Sequence, residues 1–310
     1  MEPVSGAWRS VWLEGSNQEP HEPAATVAAS PPVPPPLASP GGGTVAAARA
    51  GALAANRDRE VQQALDGFFR EMSAMTVTVA GRAVAVSVPF RMAPPGGAAD
   101  LVAEGRGTPA QIRAAAERLV GTDGPLDSAG LRELMFDHSI GIDCAGYVRQ
   151  AAIAAHLLPE DGNVANDDLS APSLRARGFA LVPDCRTARP GDIFVLGPRL
   201  DGSDQGIQHR AIVYSHQVLP PDQVPSEVAS RLGSPAGAVH VFQVDSSWGA
   251  GHQAQNGGVR RETWWYGEST GTWAWQPPAP GAWSYGVASG PYGHVFGTSL
   301  FGLFRAQRRQ

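Results

Sequence analysis

The stretch Gly141-Ile142-Asp143-Cys144-Ala145-Gly146-Tyr147-Val148-Arg149-Gln150-Ala151-Ala152 limits most what this chain can become. Asp143 is a strong N-cap residue, and from Cys144 onward Val148, Ala151, Ala152, Ala155 and His156 recur at helical spacing. Many residues of this helix are small, so its backbone is free to lie close against a sheet. Cys144 then falls in the first turn. There the helix dipole and the unpaired backbone N–H groups favour a thiolate and predict a lowered thiol pKa. The same N–H groups are suited to an oxyanion. Taken alone, a cysteine here reads more readily as a small buried hydrophobe than as a nucleophile.

The C-terminal half of the chain adds a base. His209 opens the apolar, β-branched run His209-Arg210-Ala211-Ile212-Val213-Tyr214, a histidine at the start of a strand. Ahead of it, Arg189-Pro190-Gly191-Asp192 is a turn feeding the strand Ile193-Phe194-Val195-Leu196. After it, Val241-Phe242-Gln243-Val244-Asp245-Ser246-Ser247 is a third strand ending in polar residues. Three antiparallel strands behind the cysteine helix predict strand-borne histidine and aspartate opposite its N-terminus.

Four motifs in this order, Asp143-Cys144-Ala145-Gly146-Tyr147, Pro190-Gly191-Asp192, His209 opening a strand, and Val244-Asp245-Ser246-Ser247, resemble the NlpC/P60 branch of the papain-like cysteine peptidases. The resemblance covers residues 130–250, with a terminal strand expected over 300–305. It implies an α+β papain-like fold with the cysteine helix packed on an antiparallel sheet. Carried over by position, Cys144 is the nucleophile, His209 the general base and Asp245 the residue that orients the imidazole. The family more often has His, Asn or Gln in the third place, and Gln243, two residues away on the same face, is the alternative. The resemblance implies hydrolysis of a peptide or amide bond, with peptidoglycan as the family's usual substrate and no cofactor or metal. One departure bears on substrate. The Tyr-x-x-Gly-Gly element expected before the Asp-Cys pair reads Glu133-Leu134-Met135-Phe136-Asp137-His138-Ser139-Ile140-Gly141, without the tyrosine. That leaves amidase, deamidase or acyl-transfer chemistry on a different substrate open, and a non-catalytic glycan- or partner-binding module remains the reading from another class.

The rest of the chain predicts three regions. Residues 1–55 form an arm rich in Pro, Ala and Gly that is expected to be disordered, because it cannot bury enough apolar surface to offset its ordering entropy. Its Trp8 and Trp12 suggest a docking peptide for a delivery apparatus. Residues 56–125 predict a helix from Arg57 through Met72, a hairpin from Thr76 to Phe90 turning at Ala80-Gly81, and a helix capped by Thr108-Pro109. Residues 126–310 form the catalytic domain, with a short helix over Leu131–Phe136 and, after Gly178, short strands divided by Gly and Pro.

Composition narrows the chemistry further. All 24 basic residues are arginine, so no lysine is present for a P-loop or a Schiff base. A net charge of −5 gives no electrostatic support to nucleic-acid binding. With 2 cysteines there is neither a disulfide framework nor a four-cysteine zinc site, and Cys185 reads as a structural thiol. Met1-Glu2-Pro3-Val4 lacks a basic and apolar leader, so synthesis in the cytosol with free thiols is expected, any export taking a non-Sec route. No apolar run is long enough to span a membrane. Among the other histidines, His138 is a candidate for lining the cleft, His216 is read as surface, and His252 as one more group that could orient the imidazole. Six of the 8 tryptophans come after residue 247: Trp273 and Trp275 alternate as hairpin packing, and Trp248 is the one expected at the cleft.

Overall fold

Residues 43–92, 100–120, 127–160, 169–197, 209–249, 257–275, 284–287, 294–295 and 298–307 are described by the computed structural model. The expected docking peptide and proline-rich linker lie outside them, as do His252 and Trp283. The chain divides into Met1–Ala46 and Ala47–Gln310.

Helix α1 (Gly43–Ser73) starts well before the Arg57 expected from periodicity. The reason is local. Residues 46–55 are mostly alanine, whose helix propensity needs no apolar stripe to express itself. The stripe itself, Val61, Leu65, Phe68 and Met72, is buried. The hairpin of β1 (Met75–Val79) and β2 (Arg82–Val86) turns at Ala80 and Gly81, both at positive φ (47° and 77°), as a two-residue loop requires. Met75, Val77 and Val79 face inward while the threonines between them face solvent.

Three further helices lead to the cysteine: α2 (Pro109–Val120), with the Thr108 hydroxyl accepting from the Gln111 N–H at 3.2 Å; α3 (Ser128–Asp137), capped by Asp127; and α4 (Cys144–Ala154). Two short helices that periodicity did not announce, α5 (Ala171–Ala176) and α6 (Ser226–Arg231), sit beside the sheet strands. Both are too short to carry a 3.6-residue pattern.

The strands are β3 (Phe179–Val182), β4 (Ile193–Gly197), β5 (His209–Leu219), β6 (Val239–Trp248), β7 (Gly258–Gly267), β8 (Thr272–Trp275), β9 (Ser284–Val287), β10 (His294–Val295) and β11 (Thr298–Ala306). They pair antiparallel in one sheet of order β10-β11-β4-β5-β6-β7-β8-β9, with β3 also on β11. The fold is therefore α+β, with α4 packed on an antiparallel sheet.

Alternation along the strands divides the core in two. On one face Ile193, Val195 and Ile212 pack against Tyr147, Val148, Ala151 and Ala152 of α4 and against Leu65 and Phe68 of α1. On the other, Phe194, Leu196, Ala211 and Val213 join Trp248, Trp264, Trp273 and Trp275 in an aromatic layer. Trp273 and Trp275 thus serve hairpin packing, as their spacing suggests.

The small residues of α4 are used as close approaches. A Cβ on Gly146 would lie 2.1 Å from the Gly105 carbonyl oxygen, and Gly105 itself is held at φ +75°. Its carbonyl accepts the Asp143 N–H at 3.0 Å, pinning the crossing segment to the helix start. Gly146→Ala is expected to push these elements apart and cost about 1–3 kcal/mol, read as a lower denaturation midpoint.

Candidate active site

Asp143 caps α4 with extended backbone (φ −87°, ψ 178°), and its Oδ1 accepts the Gly146 N–H at 2.6 Å. Arg106 reaches its Oδ2 at 3.1 Å. Burial nonetheless raises the Asp143 carboxyl to about 6, against the pull of Arg106 and the helix N–H groups. Ile142, just before it, bridges Phe90 in parallel, and its carbonyl accepts the Ser247 hydroxyl at 2.8 Å. The helix start is thus tied to the hairpin segment and to the end of β6.

Cys144 opens α4 and keeps partial exposure, but protein surrounds its sulfur. Burial, and next the neighbouring Asp143 carboxylate, push the thiol up to about 11. The Arg210 guanidinium and backbone N–H pull the other way and do not offset burial. The expected lowering of this pKa therefore does not hold in the resting structure. A helix N-terminus stabilises a thiolate by a modest amount, and desolvation beside a carboxylate costs more. Cys185 is buried, free and pushed up to about 12.

His209 does open β5 and is 2 % exposed. Its ring stacks on Trp248 with centroids 3.4 Å apart and planes at 26°. Its cross-strand neighbour on β4 is Leu196. Both neighbours belong to the aromatic layer, so the imidazole lies on the face of the sheet away from α4. Cys144 instead meets the next residue, Arg210. Burial, assisted by the Arg210 charge, holds the His209 pKa well below 6.5, so the ring is neutral at pH 7. Its Nε2 is buried without a hydrogen-bond partner among the described residues.

Asp245 lies on the α4 face, opposite Ile212 rather than beside His209. Arg261 grips both its oxygens, Nε to Oδ1 at 2.6 Å and Nη2 to Oδ2 at 2.9 Å. The same guanidinium reaches Asp66 of α1 at 3.1 Å and lies 3.4 Å from the Tyr214 ring centroid. Burial raises Asp245 to about 6 even so. Gln243 shares that face and accepts from the Ser215 hydroxyl at 3.3 Å. The structure thus brings Cys144 beside the His209–Arg210 peptide, and places the His209 ring and Asp245 on opposite faces.

The remaining candidates divide between surface and core. His138 is the exposed C-cap residue of α3. His216, expected at the surface, is half-buried and meets His240 at 3.0 Å. Trp248, expected at the cleft, lies in the aromatic layer, where it stacks on His209 and meets Trp275 with centroids 4.7 Å apart. Sequence reasoning missed Arg106, Arg210 and Glu262. Glu262 is buried under the tryptophans, accepts from Trp275 Nε1 at 2.7 Å and Trp264 Nε1 at 3.4 Å, and is raised to about 7 by burial. Its signal was a lone carboxylate in a run of aromatics. Among the described residues no group of three His, Cys, Asp or Glu side chains is placed to hold a metal, and no helix is long and apolar enough to cross a membrane.

Comparison with protein-family models, with curated proteins and with solved structures finds no match to this chain.

Proposed function

We propose that this chain is a cysteine hydrolase or acyl transferase acting on a peptide or amide bond, with Cys144 as nucleophile and His209 as base. One observation carries the reading. The Cys144 sulfur sits at the capped start of α4 against the Arg210 amide, one peptide from a buried, neutral imidazole whose Nε2 has no partner among the described residues. The four ordered motifs supply the remainder of the case.

In this reading the resting site is latent. Rotation about Cα–Cβ alone would keep the imidazole on the aromatic face, so the backbone at the first residue of β5 swings with the ring. His209 thereby leaves Trp248, reaches the α4 side and takes the thiol proton. The sulfur attacks the substrate carbonyl carbon, and N–H groups at the α4 start receive the developing oxyanion. The imidazolium gives its proton to the departing amine. Water, or an acceptor amine, then cleaves the thioester and restores the thiol. The Trp248 stack, rather than a carboxylate, fixes the ring between turnovers, and Asp245 acts at a distance by fastening β6 and β7 to α1. The missing tyrosine element points to a substrate other than the usual cell-wall peptide.

Alkylation tests the resting state. With iodoacetamide in the absence of substrate, the Cys144 rate is expected to rise about tenfold per pH unit through pH 9, as a thiol near 11 requires, and to exceed that of buried Cys185 throughout. Mass spectrometry of the alkylated peptides gives both rates. A plateau at neutral pH would show that the thiolate is already formed. The high thiol pKa also favours one rival, a non-catalytic binding module, which predicts ligand binding that survives Cys144→Ala and no turnover by the native chain.

A further inference from the structure

A cavity of about 200 Å³ lies away from Cys144, between the N-terminal half of α1 and the Pro190-Gly191-Asp192 turn. Its charged lining is three arginines, Arg57, Arg189 and Arg305, against two aspartates, Asp58 and Asp192. Asp192 is already neutralised. Arg305 holds it with Nε to Oδ1 at 2.8 Å and Nη2 to Oδ2 at 2.7 Å, and Nη2 also donates to the Thr187 carbonyl. The Arg57 and Arg189 side chains make no hydrogen bond or ion pair among the described residues, although Arg189 feels the Asp192 charge. Asp58 likewise has no ion-pair partner among the described residues and acts on Arg305 only through space. The rest of the wall is apolar, with Leu157 and Val61 closing on Gly191 so tightly that a Cβ there would lie 2.6 Å from a Leu157 methyl.

We propose that this cavity binds a small monocarboxylate with a short apolar body. Two guanidinium groups without partners among the described residues present the planar donors that a carboxylate accepts in pairs. The surplus of one positive charge at neutral pH matches a monoanion better than a phosphate, which carries closer to two charges. The apolar wall takes the remainder of the ligand, and the volume admits a body of a few heavy atoms. A free short-chain acid and the C-terminal carboxylate of a small-residue peptide present the same chemistry. The site does not depend on the thiol, so its test stands apart from that of the proposed activity.

Calorimetric titration of the full chain with butyrate, N-acetyl-alanyl-alanine, the amide of that dipeptide and inorganic phosphate is the experiment. Saturable binding of a carboxylate is expected, with loss of about tenfold or more in affinity for the amide, since a charge-assisted pair is removed. Arg57→Ala and Arg189→Ala, at half-buried and exposed positions that should not disturb folding, are each expected to weaken binding about tenfold, while Cys144→Ala leaves it unchanged. Butyrate binding as well as the peptide identifies a free acid as the source, and preference for the peptide identifies a C-terminus. Absence of saturable binding, equal binding of acid and amide, tighter binding of phosphate, or affinity untouched by both arginine variants would each overturn the proposal.

Discussion

Cys144→Ala is expected to lower amide hydrolysis by at least about a thousandfold while leaving the fold intact, because in the proposed mechanism the thiol is the group that forms a bond to substrate. Alanine at this position keeps the helix start, its Asp143 cap and the Arg106 pair, so the denaturation midpoint should hold to within about 1 kcal/mol. His209→Ala is expected to cost less, about a hundredfold to ten-thousandfold, the range of a lost general base. A Trp248→Leu chain separates the two roles assigned to the aromatic layer. If stacking holds the ring away from the thiol at rest, Leu should raise the alkylation rate of Cys144 near pH 7 even as it lowers stability. The informative assay is release of amine from a panel of peptide and amide substrates, with muropeptides as one arm. Undiminished turnover by Cys144→Ala would sink the cysteine mechanism, and turnover confined to muropeptides would return the cell wall as substrate despite the missing tyrosine.

Much of the scaffold was legible because it is local. Asp143 before a small-residue stripe announces α4, Ala80-Gly81 announces the hairpin turn, and a β-branched run announces β5 from His209. The relation of His209 to Asp245 was not legible, because it depends on strand register. With Ile212 opposite Asp245, His209 falls opposite Trp248 and on the other face, and a register shift of one residue would reverse this. The thiol pKa was not legible for a related reason. Sequence places Cys144 at a helix N-terminus, but only the packing of α4 against β5 shows how far the sulfur is removed from water. The α1 start was missed because residues 46–55 form a helix by propensity without a periodic stripe.

Arg261→Ala is expected to be among the most destabilising single substitutions in the chain. It leaves Asp245, which is fully buried, with a carboxylate facing Tyr147 and no counter-charge, and it frees Asp66 to depend on Arg70 alone. Breaking a buried pair from one side costs about 3–5 kcal/mol, which for a unit of this size lowers Tm by roughly 6–20 °C. The pH dependence gives a sharper signature. Asp245 titrates near 6 in the native chain, above its ordinary value of 3.8, so it favours folding least once pH exceeds 6. Removing Arg261 takes away the interactions that lower this pKa and lifts it further. The variant then keeps a proton in the folded state that the native chain has released. Its stability therefore falls more steeply with rising pH, and the gap between the two chains is smallest below about pH 6 and widens above it. Chemical denaturation at pH 5 and pH 8 measures the gap directly. The pair Asp245→Val with Arg261→Met, which removes both charges at nearly the same summed volume, is expected to recover most of the loss. If Asp245 only fastens β6 and β7 to α1, that double variant also recovers turnover. If Asp245 orients the imidazole during the reaction, stability returns and turnover does not.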